Sequence, residues 1–302
     1  MERITDLMTS QSVLNNLTND LDQLTTTSNQ LSSGLSITQP SDNPYGATVA
    51  LQLQSAISSL GQYSTNVQDA TATTTTAQTA LTDMSNIVAT ARQLVVEGGN
   101  GSMSQADLSG AASQVNGLIG ELKQAANTTY NGSYIFSGTA STTAPYLTGA
   151  TDTYQGNNGT VSSLIGPGTS VQVNVNISGL LGNGQPSGDG LLLDTLRTIS
   201  SDLSSGNTNA LQGADLQNVD KSAATVEQMQ AQVGGVSDQL TQASATITAM
   251  TTDDQQALAN DEDVDIAQAT TAYSNEQAAY TAALKAGSSI VQSSLLDFLS
   301  NA

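Results

Sequence analysis

Apolar residues recur at heptad spacing near both ends of the chain, and a glycine-rich stretch with strand-like alternation lies between them. An apolar residue every 3.5 positions forms a seam that needs another helix to cover it. The candidate assembly positions on these seams are Leu7, Leu14, Leu17, Leu21, Leu24, Leu31 and Leu35 at one end, and Ile266, Tyr273, Tyr280, Leu284, Val291, Leu295 and Phe298 at the other.

The spacing of the seams leaves the identity of their partner open, because it occurs both in single-chain bundles and between subunits. The N-terminal helix is rich in Thr, Ser and Asn, so it would be marginal alone in water. We therefore expect each end to pair with the other end, with neighbouring copies, or with both.

Prolines and glycines divide the remaining chain into helices. A helix over 4–36 ends at the string Pro40-Ser41-Asp42-Asn43-Pro44, which cannot continue it. A second helix is predicted from Tyr45 to Val96. A third begins after Ser104, with Asp107 at capping-box distance. Two more are predicted over 191–203 and from about 207 to 252, and the last helix follows an acidic cluster at 261–265.

The central stretch has a different periodicity. Asn131-Gly132 predicts a tight turn before a short strand at Tyr134–Phe136, and the alternation from Val171 to Ile177 predicts a half-buried strand. The sequence thus predicts a mainly α fold: long helices and a terminal coiled coil in a rod-like bundle, with a small central β-rich insertion. The predicted domains are terminal coiled-coil assembly segments at 1–39 and 266–302, a helical body at 45–129 and 191–260, and an outer insertion at 130–190.

Charge and composition narrow the function. The net charge is −20, with 6 basic residues scattered along 302 positions, which argues against binding to nucleic acid or to an anionic membrane surface. The chain contains no Cys and no His, which removes thiol nucleophiles, the commonest general base and Cys/His metal sites. We therefore predict no enzymatic activity, no cofactor and no metal site.

The acidic cluster at 261–265 has two interpretations. It resembles an oxygen-ligand cation site, but it lacks the turn-forming Gly of a dedicated loop. Carboxylates at the N-terminus of the last helix, where the helix dipole favours negative charge, are the preferred interpretation. The N-terminal string MERITDLMTS has no apolar run, which predicts export without a cleaved signal peptide.

Several local strings resemble the flagellin family. PSDNP at 40–44 is similar to the family's Pro-Ser-Asp-Asp-Pro turn. NTTYNGSYIFSG at 127–138 resembles a string of the hook-associated members that separates them from filament flagellins, and the C-terminal LLDFL is typical of the family. The resemblance covers residues 1–138 and about 190–302.

The resemblance implies a structural subunit that joins hook to filament through terminal helices packed in a tubular assembly. It implies a ring of identical copies, with an adjacent hook-associated junction protein and filament flagellin as neighbours. It also implies an extracellular position in the flagellum, after export through the flagellar channel with a dedicated chaperone. Two alternatives stay open: a filament-forming flagellin, and a secreted adhesin or carbohydrate-binding protein that uses the 130–190 insertion.

Overall fold

The computed structural model describes residues 2–149, 151–184 and 187–300, and the side chains of residues 2–7, 9 and 290–300 lie outside that description. The elements in chain order are α1 (Glu2–Ser33), α2 (Pro44–Gly99), α3 (Gln105–Ala126), β1 (Thr129–Tyr130), β2 (Ser133–Tyr134), β3 (Ser162–Gly166), β4 (Thr169–Gln172), α4 (Ser178–Leu181), α5 (Leu192–Ser205), α6 (Thr208–Ala210), a π-helical turn (Leu211–Asp215), α7 (Leu216–Glu262) and α8 (Ile266–Ser300). The predicted mainly α class is confirmed.

The described chain divides into two compact units. One contains the residues up to Ser59 together with those from Met250 onward, and the other contains Leu60–Ala249. The predicted domain limits, which were drawn from assembly roles, stay a prediction.

The helix boundaries follow the local signals. Ser104 accepts a hydrogen bond from the backbone N–H of Asp107, whose carboxylate accepts one from the backbone N–H of Ser104, so the predicted capping box is formed. At the end of α2, a Cβ on Gly98 would collide with Cδ2 of Leu203, so a larger residue there would force the Leu203 side chain on α5 to shift. The predicted end of α7 at Thr252 was wrong, because the helix continues to Glu262.

The core of the Leu60–Ala249 unit joins the helices to the central stretch. Leu122 on α3 and Leu196 on α5 belong to one buried cluster with Phe136, Tyr146 and Ile177 from 130–190. The phenol of Tyr146 donates to the carbonyl of Gly182 at 2.8 Å, and burial raises its pKa. The central stretch therefore shares its core with the helices.

Both predicted central strands are shorter than expected. Asn131 and Gly132 adopt positive φ and form the predicted turn, but β2 ends at Tyr134 because Ile135 and Phe136 turn into the core. β4 ends at Gln172 because the side chain of Asn174 turns inward. There it bonds the backbone N–H of Val161 at 2.8 Å and the carbonyl of Gly159 at 2.8 Å, which ends the alternation.

Candidate assembly surface

The two terminal helices α1 and α8 pack side by side and antiparallel. At one end of the pair, the backbones of Leu35 and Asp263 form an isolated antiparallel β-bridge. Beside it, the N–H of Val264 donates to the carbonyl of Gly34 at 3.0 Å. At the other end Gly287 is buried, and an added Cβ there would lie 3.0 Å from Val13 Cγ1. The ends of the chain therefore cover part of each other's seam.

The connection between α7 and α8 explains the acidic cluster. Asp261 and Glu262 are the last residues of α7, and Asp265 lies immediately before α8. The Asp265 carboxylate accepts hydrogen bonds from the backbone N–H groups of Ala267 at 2.9 Å and Gln268 at 3.1 Å. This arrangement supports the helix N-terminus interpretation. Among the described residues, no group of three or more acids is placed to hold a metal ion.

Only one of the two leucine phases of α1 faces α8. Leu17, Leu24 and Leu31 are half-buried along the contact, and polar Thr27 is buried among them. On α8 the covered residues include Ala269, Tyr273, Tyr280, Ala283 and Gly287, of which Ala269 and Gly287 are buried. The pair thus meets through small and polar residues as well as through leucines.

The other leucine phase points away from the chain. Leu14 is 56% exposed and Leu21 is 44% exposed, and on α8 both Ile266 and Leu284 are exposed. Leu35 is half-buried at the turn beyond α1. The predicted positions Leu7, Val291, Leu295 and Phe298 lie outside the described side chains.

An open apolar groove marks the outward side of the pair. We call it the terminal groove, and it has a volume of about 450 Å³. Its lining consists of Ser10, Val13, Leu14, Leu17, Leu284, Gly287 and Ser288. Met8, Tyr45 and Leu51 are further exposed apolar residues in the same unit, and the heptad pattern did not single them out. An apolar surface of this kind is suited to contact with another protein.

Sequence reasoning missed a buried ion cluster between α3, α5 and the central stretch. The Lys123 ammonium and the Arg197 guanidinium both bind the carboxylate of Asp152, at 2.6 Å and 3.0 Å. Burial alone would raise the pKa of Asp152, but the hydrogen bonds from Arg197 and Lys123 outweigh it and hold that pKa below its usual value. The three residues lie up to 74 positions apart, so no local spacing in the sequence predicted the cluster.

None of the described helices is both long enough and apolar enough to cross a membrane.

Comparison with known proteins finds a protein family that the N-terminal part of the chain resembles. Residues 4–141 match the family model of the bacterial flagellin N-terminal helical region. Through this region the chain is similar to the flagellin family, as the resemblance drawn from its sequence predicted.

Individual relatives narrow the comparison. Flagellar hook-associated protein 3 of Salmonella typhimurium is 30% identical over 145 residues, which cover 48% of this chain and 46% of that protein. A flagellin of Clostridium tyrobutyricum is 34% identical over 100 residues, 33% of this chain and 26% of that protein. The matched stretch thus spans less than half of either relative.

A solved structure supports the same fold. The crystal structure of flagellar hook-associated protein 3 from Legionella pneumophila superposes with a TM-score of 0.61. It covers 69% of this chain and 98% of the Legionella chain at 16% identity. At this identity the likeness establishes the fold alone.

Proposed function

We propose that this chain is a structural subunit of the bacterial flagellum that joins hook to filament. The observation that carries the proposal is the second leucine phase of α1, where Leu14 and Leu21 stay exposed although α8 covers the first phase. A further helix packed along this face of α1, from the terminal groove at Leu14 onward to Leu21, would bury these residues. The longer match to hook-associated protein 3 than to flagellin favours the junction role.

In this role the terminal segments 1–39 and 266–302 form the assembly core, and the subunit works by packing rather than by catalysis. Its neighbours are copies of itself in a ring, the adjacent hook-associated junction protein and filament flagellin. It reaches this extracellular position through the flagellar secretion apparatus, without a cleaved signal peptide and with an export chaperone. Exposed leucines on a subunit awaiting assembly are a reason for such a chaperone.

The test is Leu21→Asp in a strain that lacks the native gene. Leu21 points away from α8, so we expect an unchanged helical signal by circular dichroism and an unchanged melting temperature for the purified variant. In cells we expect hooks without filaments, flagellin released into the medium and loss of swimming. A carboxylate in place of an apolar side chain at a packed helical contact costs several kcal/mol.

The matched control is Leu164→Asp on β3. Leu164 is also 44% exposed, but it lies outside the candidate assembly positions. We expect this variant to swim like the wild type. Normal swimming and normal filaments with Leu21→Asp would refute the proposal.

A filament-forming flagellin is the second candidate, favoured by the family match at residues 4–141. Seeded growth distinguishes the two: a filament subunit elongates seeds of its own protein, whereas a junction subunit stays unpolymerised. An autonomous binding module at 130–190 is disfavoured, because that stretch shares its core with α3 and α5.

A further inference from the structure

Positive charge is scarce in this chain, yet two of its six basic residues converge on one carboxylate. The Lys123 ammonium donates its three N–H groups to Asp152 Oδ1, to the carbonyl of Gly149 at 2.9 Å and to the carbonyl of Thr151 at 2.7 Å. Lys123 is therefore saturated, and its role is to fix Asp152 and the backbone carbonyls of Gly149 and Thr151.

The same cluster uses only some of the N–H donors of Arg197. Its Nε donates to Asp152 Oδ2 at 3.0 Å and its Nη2 to Oδ1 at 3.2 Å. A guanidinium has five N–H donors, so three remain, two on Nη1 and one on Nη2, and we call the Nη1–Nη2 side its outer edge. The Arg197 side chain is 27% exposed, whereas Asp152 is buried behind it. The guanidinium is thus fixed by Asp152 on its inner side and, among the described residues, has unpaired N–H donors on its outer side.

Arg197 lines a groove of about 350 Å³ together with residues of α3 and the Thr148–Gly149 segment, and we call it the Arg197 groove. Asn116 and Thr148 add an amide and a hydroxyl to its lining, and none of the described residues that line it is acidic. At Gly120 a Cβ would meet no atom within 4 Å, so the groove is open there. The groove and the ion cluster behind it together contain two cationic side chains and one carboxylate. This region is therefore locally positive, although the net charge of the chain is −20.

We propose that the Arg197 groove is a binding site for a carboxylate, which pairs with the outer edge of the guanidinium. A planar carboxylate matches this edge with two parallel charge-assisted hydrogen bonds, and the inner pair with Asp152 fixes its orientation. The volume lies at the lower end of the range of small-molecule sites, which is about 300–1,000 Å³. Two sources provide this group: a free small acid, or an acidic side chain of a second copy of the chain.

The probe is sodium acetate, titrated into the full-length protein against sodium chloride of equal ionic strength. The sequence contains three arginines, so only three Nε–H signals are expected in a nitrogen–proton NMR spectrum. We expect a saturable shift of the Arg197 signal with acetate alone. Arg92, which forms an exposed ion pair with Asp220, is the internal control and should not respond.

Two variants at Gly120 sharpen the test. Gly120→Glu places a carboxylate in the groove from its own chain, and Gly120→Gln has the same shape without the charge. Both side chains favour a helix more than glycine does. We expect Gly120→Glu to weaken acetate binding at least tenfold and Gly120→Gln to weaken it less than threefold. Circular dichroism confirms that both are folded.

The two sources differ in their dependence on protein concentration. If a second copy supplies the carboxylate, the Arg197 signal shifts as the protein is concentrated, and acetate reverses that shift. If a free acid is the ligand, the signal responds to acetate alone. A shift of Arg197 and Arg92 alike, equal responses of the two Gly120 variants, or no response of Arg197 would overturn the proposal.

Discussion

Asp215 provides the sharpest test of the physical reasoning. It lies in the π-helical turn before α7, it is only 2% exposed, and its Oδ2 has no hydrogen-bond partner. Burial and the neighbouring carboxylate of Asp202 raise its pKa to about 6, from a usual value of 3.8. Asp215 is therefore a buried acid that the fold holds in its protonated form more readily than the unfolded chain does.

The magnitude follows from linkage between protonation and folding. Between pH 3.8 and about 6 the folded chain binds more protons at Asp215 than the unfolded chain, so this residue makes stability fall as the pH rises. The rise of the Asp215 pKa from 3.8 to about 6, at about 1.4 kcal/mol per pH unit, gives a penalty of about 3 kcal/mol above pH 6. Below pH 3.8 both states are protonated and the penalty disappears.

Replacing Asp215 with Asn removes the titration and keeps the shape. We expect Asp215→Asn to be more stable than the wild type by up to about 3 kcal/mol at pH 7, and by little or nothing at pH 3.5. The chain has no Trp, so urea unfolding is followed by far-UV circular dichroism at several pH values. Carboxylates with lowered pKa values, such as Asp152, act equally in both proteins, so the difference between variant and wild type reports Asp215 and its interaction with Asp202.

Asp238→Asn is the matched control, since Asp238 is an exposed carboxylate on α7. Its stability difference from the wild type at pH 7 should be small, because an exposed side chain keeps its hydration in the folded chain. If Asp215→Asn is no more stabilising at pH 7 than at pH 3.5, or no more stabilising at pH 7 than Asp238→Asn, the account of a buried, partly unpaired acid is wrong.

Two further predictions concern stability alone. Lys123→Met leaves Asp152 with one cation and orphans two carbonyls, so we expect a loss of about 3 kcal/mol in urea unfolding. Removing the exposed Arg92 pair by Arg92→Met should cost less than about 1 kcal/mol, and equal losses would contradict this ranking. Ser104→Ala removes the capping box of α3 and should cost about 1 kcal/mol, whereas Ser109→Ala in the same helix should cost nothing; a neutral Ser104→Ala would count against the cap.

The helices were predictable because their signals are local. Pro40–Pro44 interrupts the helical pattern, and Ser104 with Asp107 starts a helix, through backbone chemistry that acts within a few residues. The predicted strand from Val171 to Ile177 was too long because its end depends on contacts that are not local. Asn174 bonds Gly159 and the N–H of Val161, and a sequence pattern carries no signal of such a distant partner.

The candidate sites were only partly predictable for the same reason. Heptad spacing identified the leucines of α1 but not which phase α8 covers, because the two phases lie roughly 60° apart on the helix. Close packing at Gly287 helps to select the covered phase, and that contact joins opposite ends of the chain. The Lys123–Asp152–Arg197 cluster likewise forms only after α3, α5 and the central stretch have come together.

The division of the α1 seam is itself an argument for assembly. A helix pair that served only its own chain would gain by covering the second leucine phase of α1 as well, since full burial of a leucine contributes about 1.5–3 kcal/mol. Instead α1 buries Thr27 and leaves Leu14 and Leu21 exposed. On α8, Gly287 and Ala269 keep the covered face narrow, so the two helices approach closely without covering those leucines. The exposed leucines are stabilising only where another helix packs along this face of α1, from the terminal groove to Leu21, which is why Leu21 should matter to assembly and not to folding.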